Sequence, residues 1–310
     1  MTDESSEDGN DMGRAHEKTV GAKTDDAATQ ASRVAHEARS EAKSAATSPW
    51  FTPLARSGYA AKGIIYLIMG ALALGAALGV GGTPTDQQGA FQTIVERPFG
   101  QFLLVIVSIG LVGYALWCLC QGILDVDGKG TSAKGIVARV GYSVVGIAYL
   151  ILAFGAFKLA TGGSAGKNSD TATRDFTAQL LTKPLGVVLV IVVGVAALAV
   201  AGILYYRAWK VDFESLIQPK ELGQKGKDML VTLGRVGYAA LGVVFTEISL
   251  FLVIAALRHN PGDAQGLSGA LRQMEQQPFG RPLLALVALG LIAYGIYSVA
   301  SARYRRVGRA

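Results

Sequence analysis

Apolar residues gather into six long stretches that alternate with short polar connections. Each stretch is long enough to cross about 30 Å of hydrocarbon, which requires roughly 20 residues of helix. They lie at residues 57–80, 100–122, 138–161, 186–207, 234–257 and 282–302. None has the alternation of an outer-membrane barrel strand, and backbone groups in lipid need partners within their own segment. The pattern predicts an all-α integral membrane protein with six transmembrane helices.

An internal repeat organises these stretches in pairs. The motif Arg-x-Gly-Tyr opens each odd-numbered stretch, at residues 56–59, 139–142 and 235–238, and a Pro-x-Gly marker follows 42 to 45 residues after each Arg. An even number of helices per unit makes all three units run the same way, around a pseudo-threefold axis along the membrane normal. The sequence leaves open whether this axis is filled or hollow. We place the two-helix repeats at 52–128, 134–212 and 230–306.

Three positions recur in every repeat when residues are counted from the motif Arg as zero: the Arg itself, a Tyr at +3 and a Gly at +7. A further ring follows at +10. Large and small residues thus alternate along one face of the helix, a spacing typical of helix packing in lipid. We also expect the Arg and Tyr side chains to anchor the helix at the interface. The residues are Arg56, Tyr59, Gly63, Arg139, Tyr142, Gly146, Arg235, Tyr238 and Gly242.

The Pro-x-Gly markers predict how each even helix begins. We expect Pro98, Pro184 and Pro278 in its first turn, with the Gly two residues later allowing a tight turn. Segments 89–95 and 269–274 precede two of these markers and have the apolar spacing of short helices on the outer surface.

Two charged residues, Glu247 and Lys62, lie more than four residues from either end of their predicted spans. Glu247 lies near mid-depth of the fifth helix, where the other repeats have Ile68 and Ile151. An intramembrane acid is costly and often functional, so Glu247 is a candidate proton or ion relay, with a neutral hydrogen-bonded acid as the equal alternative. Lys62 lies six residues beyond its motif Arg, and we expect it to extend to the cytoplasmic head groups.

Basic residues predict the orientation. Sixteen Lys and Arg flank the ends on the side of the termini and seven flank the opposite ends, so both termini are expected in the cytoplasm. The chain would then be a multi-pass protein of the cytoplasmic (inner) membrane. Its net charge of +6 and the arginines of residues 303–309 fit anionic lipid heads at the cytoplasmic face, without implying nucleic-acid binding. Residues 1–50 form a polar cytoplasmic tail, disordered or weakly helical, that can bind protein partners.

The sequence contains no recognisable catalytic or metal-binding set. Cys118 and Cys120 are two residues apart on a helix and point to nearly opposite faces. The three histidines, His16, His36 and His259, are scattered. We therefore expect no metal, cofactor or catalytic residue, and the pattern does not favour an enzyme.

The repeated Arg-x-Gly-Tyr-x-x-x-Gly motifs and their Pro-x-Gly partners resemble a family of bacterial membrane proteins, often actinobacterial, known as domain of unknown function number twelve hundred and six. The resemblance covers about residues 52–306 and implies a two-helix region repeated three times. It implies no activity, substrate or catalytic residue. We interpret the chain as a structural or partner-binding membrane protein. The alternative is a transporter or channel for a small solute, ion or proton that uses Glu247.

The expected orientation can be tested with a C-terminal fusion. A reporter that is active only outside the cytoplasm should give no signal when it follows Ala310, because the sixth helix ends on the cytoplasmic side. A cytoplasm-active reporter at the same position is the matched control. Strong activity of the first reporter would overturn this topology.

Overall fold

The computed structural model describes residues 51–126, 132–164, 166–210 and 223–304, together with Arg33 and Gly130. The chain divides into two units, Met1–Ser48 and Pro49–Ala310. Every element considered below belongs to the second unit. Apart from Arg33, the predicted tail lies outside the described residues, as do the arginines beyond residue 304.

Across these described ranges the chain forms nine α-helices and no strand. They are α1 (Phe51–Leu78), α2 (Gln87–Val95), α3 (Gly100–Leu119), α4 (Ala133–Ala160), α5 (Ser169–Leu181), α6 (Gly186–Lys210), α7 (Gln224–Leu257), α8 (Leu267–Gln276) and α9 (Gly280–Tyr304). A π-helical segment, Cys120–Leu124, extends α3, and a 3-10 turn, Pro261–Asp263, precedes α8. Six helices, α1, α3, α4, α6, α7 and α9, are long and apolar enough to cross a membrane, which confirms the predicted multi-pass architecture.

The six long helices pack in a defined order around the molecule. Following their contacts, the order is α4, α3, α1, α9, α7 and α6. Each contact between successive repeats is present, and so are the hairpin contacts α1–α3 and α7–α9. The two helices of the middle repeat, α4 and α6, do not pack against each other over their described lengths. The three-repeat arrangement is therefore confirmed, with an open hairpin in its middle repeat.

The short helices α2, α5 and α8 all follow an odd long helix and precede an even one. They therefore share the molecular face opposite the first residues of α1 and the last residues of α9, which we term the short-helix face. The expected short helices before the first and third markers are present as α2 and α8, and each buries an apolar side, as shown by Phe91 and Leu271.

The structure corrects the expected role of the Pro-x-Gly markers. The long helices begin at Gly100, Gly186 and Gly280, so each Pro lies in the preceding turn and not in the first helical turn. The residue between Pro and Gly has a positive φ in all three copies. A Cβ on the Gly would lie only 2.0 to 2.3 Å from a carbonyl oxygen of the preceding short helix. The Gly is needed because the backbone turns back against the short helix.

The +7 glycines lie where successive repeats meet. A Cβ on Gly63 would lie 2.7 Å from the Gly295 carbonyl oxygen of α9. A Cβ on Gly146 would lie 3.0 Å from the Ala115 carbonyl oxygen of α3, and one on Gly242 would lie 2.7 Å from the Tyr205 ring of α6. Repeats 1 and 3, 1 and 2, and 2 and 3 therefore approach one another at the same repeat position.

The glycines at +2, inside the Arg-x-Gly-Tyr motif, lie where a hairpin closes on itself. A Cβ on Gly58 would lie 2.5 Å from the Tyr114 Cβ of α3, and a Cβ on Gly237 would lie 2.6 Å from the Tyr294 Cβ of α9. At the equivalent Gly141, no atom of the described residues lies within 4 Å of such a Cβ. The motif is thus present in all three repeats but makes its close contact in only two.

A set of alanine substitutions tests this difference. We expect Gly58→Ala and Gly237→Ala to lower stability by about 1–3 kcal/mol, because the added methyl overpacks the hairpin. Gly141→Ala is the matched control in the same motif position and should leave stability unchanged or raise it by up to about 1 kcal/mol. Thermal unfolding of the detergent-solubilised chains measures the effect. Equal losses in all three variants would contradict the open middle hairpin.

Candidate functional site

A lysine side chain lies inside a cage of tyrosines between the three repeats. Lys62 is only 9% exposed, and its Nζ lies 3.2 Å from the Tyr114 hydroxyl. The same Nζ lies 4.8 Å from the ring centroid of Tyr114, 5.1 Å from that of Tyr294, 5.6 Å from that of Tyr149 and 6.0 Å from that of Tyr66. We term these four rings the tyrosine cage. They present π-faces and one hydroxyl oxygen to the ammonium group.

All three repeats contribute to the tyrosine cage. Tyr66 and Tyr114 come from the first repeat, Tyr149 from the second and Tyr294 from the third. The rings also support one another edge to face, with centroids 4.7 Å apart for Tyr114 and Tyr149 and 4.8 Å apart for Tyr66 and Tyr294. Such pairs stabilise packing by about 0.5–1.5 kcal/mol beyond their buried area. The cage therefore ties the three repeats together at the centre of the molecule.

Polar side chains extend from the cage toward both faces. The Tyr66 side chain lies near the polar side chains of Tyr149 and Gln87, and Gln87 opens α2 on the short-helix face. On the other side, Tyr294 packs edge-on against Tyr238, with centroids 5.3 Å apart. Arg207 lies over the Tyr238 ring at 5.9 Å. A broken line of hydroxyl, amide and cationic groups thus runs through the cage.

The expectation that Lys62 reaches the cytoplasmic head groups is wrong. Its side chain turns inward because four aromatic rings and a hydroxyl replace part of its hydration. The repeat did not indicate this role, since the equivalent residues are Val145 and Leu241. The sequence did contain one indication of this role: a lysine stands at a repeat position where the other two copies have apolar residues. An intramembrane cation with specific partners is a candidate functional residue by default.

Glu247 lies away from the tyrosine cage. The residue before it and the second residue after it face α6, because the Thr246 and Tyr205 hydroxyls are 3.3 Å apart and the Ser249 hydroxyl donates to the Gly194 carbonyl at 2.8 Å. One residue turns a helix by about 100°, which rotates the half-buried Glu247 out of that contact. Among the described residues no hydrogen bond or ion pair to its carboxyl is present. The relay role of Glu247 remains a prediction.

The motif arginines and tyrosines have different environments in the three repeats. Tyr59 is buried, with its ring centroid 5.1 Å from that of Tyr114. Arg139 donates from Nε to the Gly122 carbonyl and from Nη2 to the Ile123 carbonyl, both at 2.9 Å. Its guanidinium group therefore donates hydrogen bonds to carbonyl groups at the end of the preceding long helix, which lack partners within that helix. Arg56 and Tyr142 are half-buried, and Arg235 is exposed. Their role as interface anchors remains a prediction.

A second polar cluster lies on the short-helix face and joins the repeats there. Asp86 caps α2 by accepting from the Gly89 N–H at 3.0 Å, and it also accepts from the Ser169 N–H of the middle repeat. The N-cap position of α8 is Gly266, which has no side chain to offer. Asp170 of the middle repeat takes that role from outside, accepting from the N–H groups of Gly266 at 2.9 Å and Gly269 at 2.8 Å.

The Asp170 carboxylate is fully engaged. Its other oxygen accepts from the Ser268 hydroxyl at 2.7 Å and from the Arg272 guanidinium. Burial alone would raise its pKa, but the hydrogen bonds from Ser268, Gly269, Arg272 and Gly266 outweigh it and lower the pKa below the ordinary value. A carboxylate held in this way behaves as a structural cap for a neighbouring repeat.

A cavity of about 460 Å³ opens beside this cluster, between α2, α8 and the start of α5. Its lining is polar and includes Asp86, Gln88, Asn168, Arg272 and Glu275. The side-chain amide oxygen of Gln88 is buried and has no hydrogen-bond partner among the described residues. No group of three His, Cys, Asp or Glu side chains that could hold a metal occurs in the described part of the chain.

Asparagine substitution tests the cap. Asp170→Asn should lower stability by about 2 kcal/mol or more, because the isosteric amide loses charge-assisted hydrogen bonds. Since the pKa is lowered in the folded state, this contribution is present above pH ~4 and is lost as the pH falls through the folded-state pKa. Thermal unfolding of parent and variant at pH 7 and near pH 3 should show the difference shrinking in acid. Asp175→Asn, in an exposed pair with Lys167, is the control and should change stability little.

Comparison with known proteins places these features in a family. A model of the family described as Domain of Unknown Function (DUF1206) matches three times, at residues 57–125, 140–211 and 236–305. The chain is 31% identical over 261 residues to the uncharacterized protein YxxB of Bacillus subtilis (strain 168), which covers 84% of this chain and 94% of that protein. No solved structure matches the chain. One match falls on each pair of long helices, and the chain therefore belongs to the DUF1206 family of membrane proteins.

Proposed function

We propose that the chain is a structural or partner-binding protein of the bacterial cytoplasmic membrane. The observation that carries this proposal is the filled interior. One continuous cluster of buried apolar side chains draws on all three repeats and includes Met69, Leu111, Ala153, Val244 and Leu291, each at most 2% exposed. Together with the tyrosine cage, this packing supports a solid scaffold in preference to a water-filled path.

The proposal includes orientation and lipid contacts. Both termini lie in the cytoplasm, and anionic lipid heads bind the basic residues on that side. Arg303 near the end of α9 is exposed. The N-terminal tail, outside the described residues, would bind protein partners. The uneven distribution of Lys and Arg supports this arrangement.

A second candidate is transport of a small solute, ion or proton. Two observations favour it: Glu247 lies half-buried within a long apolar helix, and the polar side chains of Lys62, Tyr66 and Gln87 lie near one another in succession. It is the weaker candidate on this geometry, because Glu247 does not join the tyrosine cage and buried rings occupy the centre.

Reconstitution into liposomes separates the two candidates. The purified full-length chain is placed in vesicles loaded with a pH-sensitive dye, and proton, K⁺ and Na⁺ gradients are imposed in turn, the last two with a protonophore so that cation flux drives proton movement. We expect the flux to equal that of protein-free vesicles, because packed side chains leave no continuous water path. Glu247→Gln and Lys62→Met are run in parallel, since both keep side-chain size while removing the charge.

The variants assign any flux that does appear. Flux above the protein-free background would overturn the structural proposal. Its loss in Glu247→Gln alone would support a relay through Glu247, and its loss in Lys62→Met alone would place the route through the tyrosine cage. A gramicidin-treated sample shows that the vesicles report flux when a path exists.

A further inference from the structure

The polar cavity on the short-helix face is lined by all three repeats. Its volume of about 460 Å³ lies within the usual range of small-ligand sites, about 300–1,000 Å³. The first repeat contributes α2 and residues 82–86 before it, the second contributes Gly166 and Asn168 just before α5, and the third contributes α8. Among the described residues that line it, Pro84 carries the only apolar side chain. A ligand of this cavity must therefore be polar.

Hydrogen bonds between the repeats fix the walls of the cavity. Asp86 is only 2% exposed, and its two carboxylate oxygens accept from backbone N–H groups, one of Gly89 and one of Ser169. The Ser268 hydroxyl donates to Asp170 at 2.7 Å. These groups are committed to joining one repeat to another. The cavity is therefore preformed, and contacts to a ligand must come from other side chains of its lining.

Two oppositely charged side chains of α8 line the cavity without pairing with each other. Arg272 donates from Nη2 to Asp170 and to the Ser268 hydroxyl, but its side chain is 51% exposed, and its Nε and Nη1 have no partner among the described residues. Glu275 is half-buried, and its carboxylate has no hydrogen bond or ion pair within the described part of the chain. Residues three positions apart lie on the same side of a helix, with Cβ atoms about 5–6 Å apart. The cavity thus presents a cation beside an anion.

Gln88 adds an unsatisfied amide to the wall. Its side-chain oxygen is buried and has no partner among the described residues, and its side-chain nitrogen would lie 3.4 Å from a Cβ on Gly166. A buried polar atom without a partner is costly. Rotation about the last side-chain bond exchanges the oxygen and the nitrogen. A ligand that can both donate and accept hydrogen bonds would satisfy this amide in either orientation.

We propose that this cavity binds a small zwitterion of the free amino acid class, one with a polar side chain. The ligand carboxylate accepts from the free edge of the Arg272 guanidinium, whose planar geometry matches a carboxylate. The ligand ammonium group, carried on the adjacent carbon, donates to Glu275. This spacing fits two charged residues one helical turn apart. The neutral amides of Gln88, Gln92 and Gln276 then face the polar side chain of the ligand.

The inference goes beyond the proposed structural or partner-binding function, because it assigns a soluble ligand to the short-helix face. The proposed orientation puts this face outside the cytoplasm, so the amino acid would arrive from that side. A membrane protein with a filled interior can bind a solute at its surface without moving it across the bilayer. Ligand binding is therefore measured separately from flux.

Equilibrium binding to the full-length chain in nanodiscs tests the ligand class. Isothermal titration calorimetry with L-glutamine, L-asparagine and L-serine should show saturable binding of at least one. For glutamine, the N-acetyl derivative lacks the ammonium group and the α-amide lacks the carboxylate. Each should bind about tenfold more weakly or worse than its parent, because it loses a charge-assisted hydrogen bond. L-Leucine keeps both charges and should also bind more weakly, because the lining offers little apolar surface. The derivatives of asparagine or serine replace those of glutamine if that amino acid binds tighter.

A charge-removing variant ties the binding to the cavity. Glu275→Gln should weaken amino acid binding by about tenfold or more, because the ligand ammonium group loses its carboxylate partner. Its thermal unfolding without ligand should equal that of the parent, because Glu275 has no partner among the described residues to lose. Glu96→Gln is the matched control. Glu96 is exposed at the end of α2, outside the cavity lining, so this variant should bind the amino acid as the parent does.

Failure of the ligand site and failure of the proposed function give different results. The zwitterion site is wrong if none of the three amino acids binds, if the acetylated or amidated derivative binds as tightly as the free amino acid, or if Glu275→Gln binds like the parent. None of these results affects the structural proposal. Ion or proton flux in the liposome assay would overturn the structural proposal whether or not the cavity binds an amino acid.

Discussion

Close backbone approach between helices is the contact on which this molecule depends. Lipid surrounds the long helices, so burying their apolar side chains against one another gives little advantage over leaving them in hydrocarbon. Stabilising contact is made instead where small residues let two helices approach so closely that an added methyl group would not fit between them. Gly63, Gly146 and Gly242 do this at the three boundaries between repeats. A glycine at the +7 position of each repeat therefore supports the threefold arrangement of the helices.

The tyrosine cage shows how this symmetry is used and then broken. The repeats bring Tyr66, Tyr149 and Tyr294 close to a common centre, yet only the first supplies the cation, Lys62. A charge in the membrane interior is costly unless its hydration is replaced. Ring faces and a hydroxyl supply that replacement here. A substitution of Lys62 can consequently remove its positive charge while keeping its packing against the rings, or remove both.

The middle repeat is held by its neighbours more than by its own hairpin. Its α4 packs on α3, its α6 packs on α7, and Asp170 caps the short helix of the third repeat. The contacts that the middle repeat makes with the first and third repeats thus compensate for the missing contact between its own two long helices. This division explains how the middle repeat can lack packing between its own two long helices while the architecture is kept.

The sequence by itself determined the six spans, the three repeats and the glycine positions, because membrane thickness and helix geometry constrain length and spacing directly. It also indicated the short helices α2 and α8. It did not indicate that Lys62 turns inward or that Asp170 caps a helix 96 residues away. Those features depend on which helices become neighbours, and on side chains from different repeats meeting. Only the tertiary structure decided them, as it decided that Gly141 keeps its place in the motif while no atom of the described chain lies within 4 Å of an added Cβ.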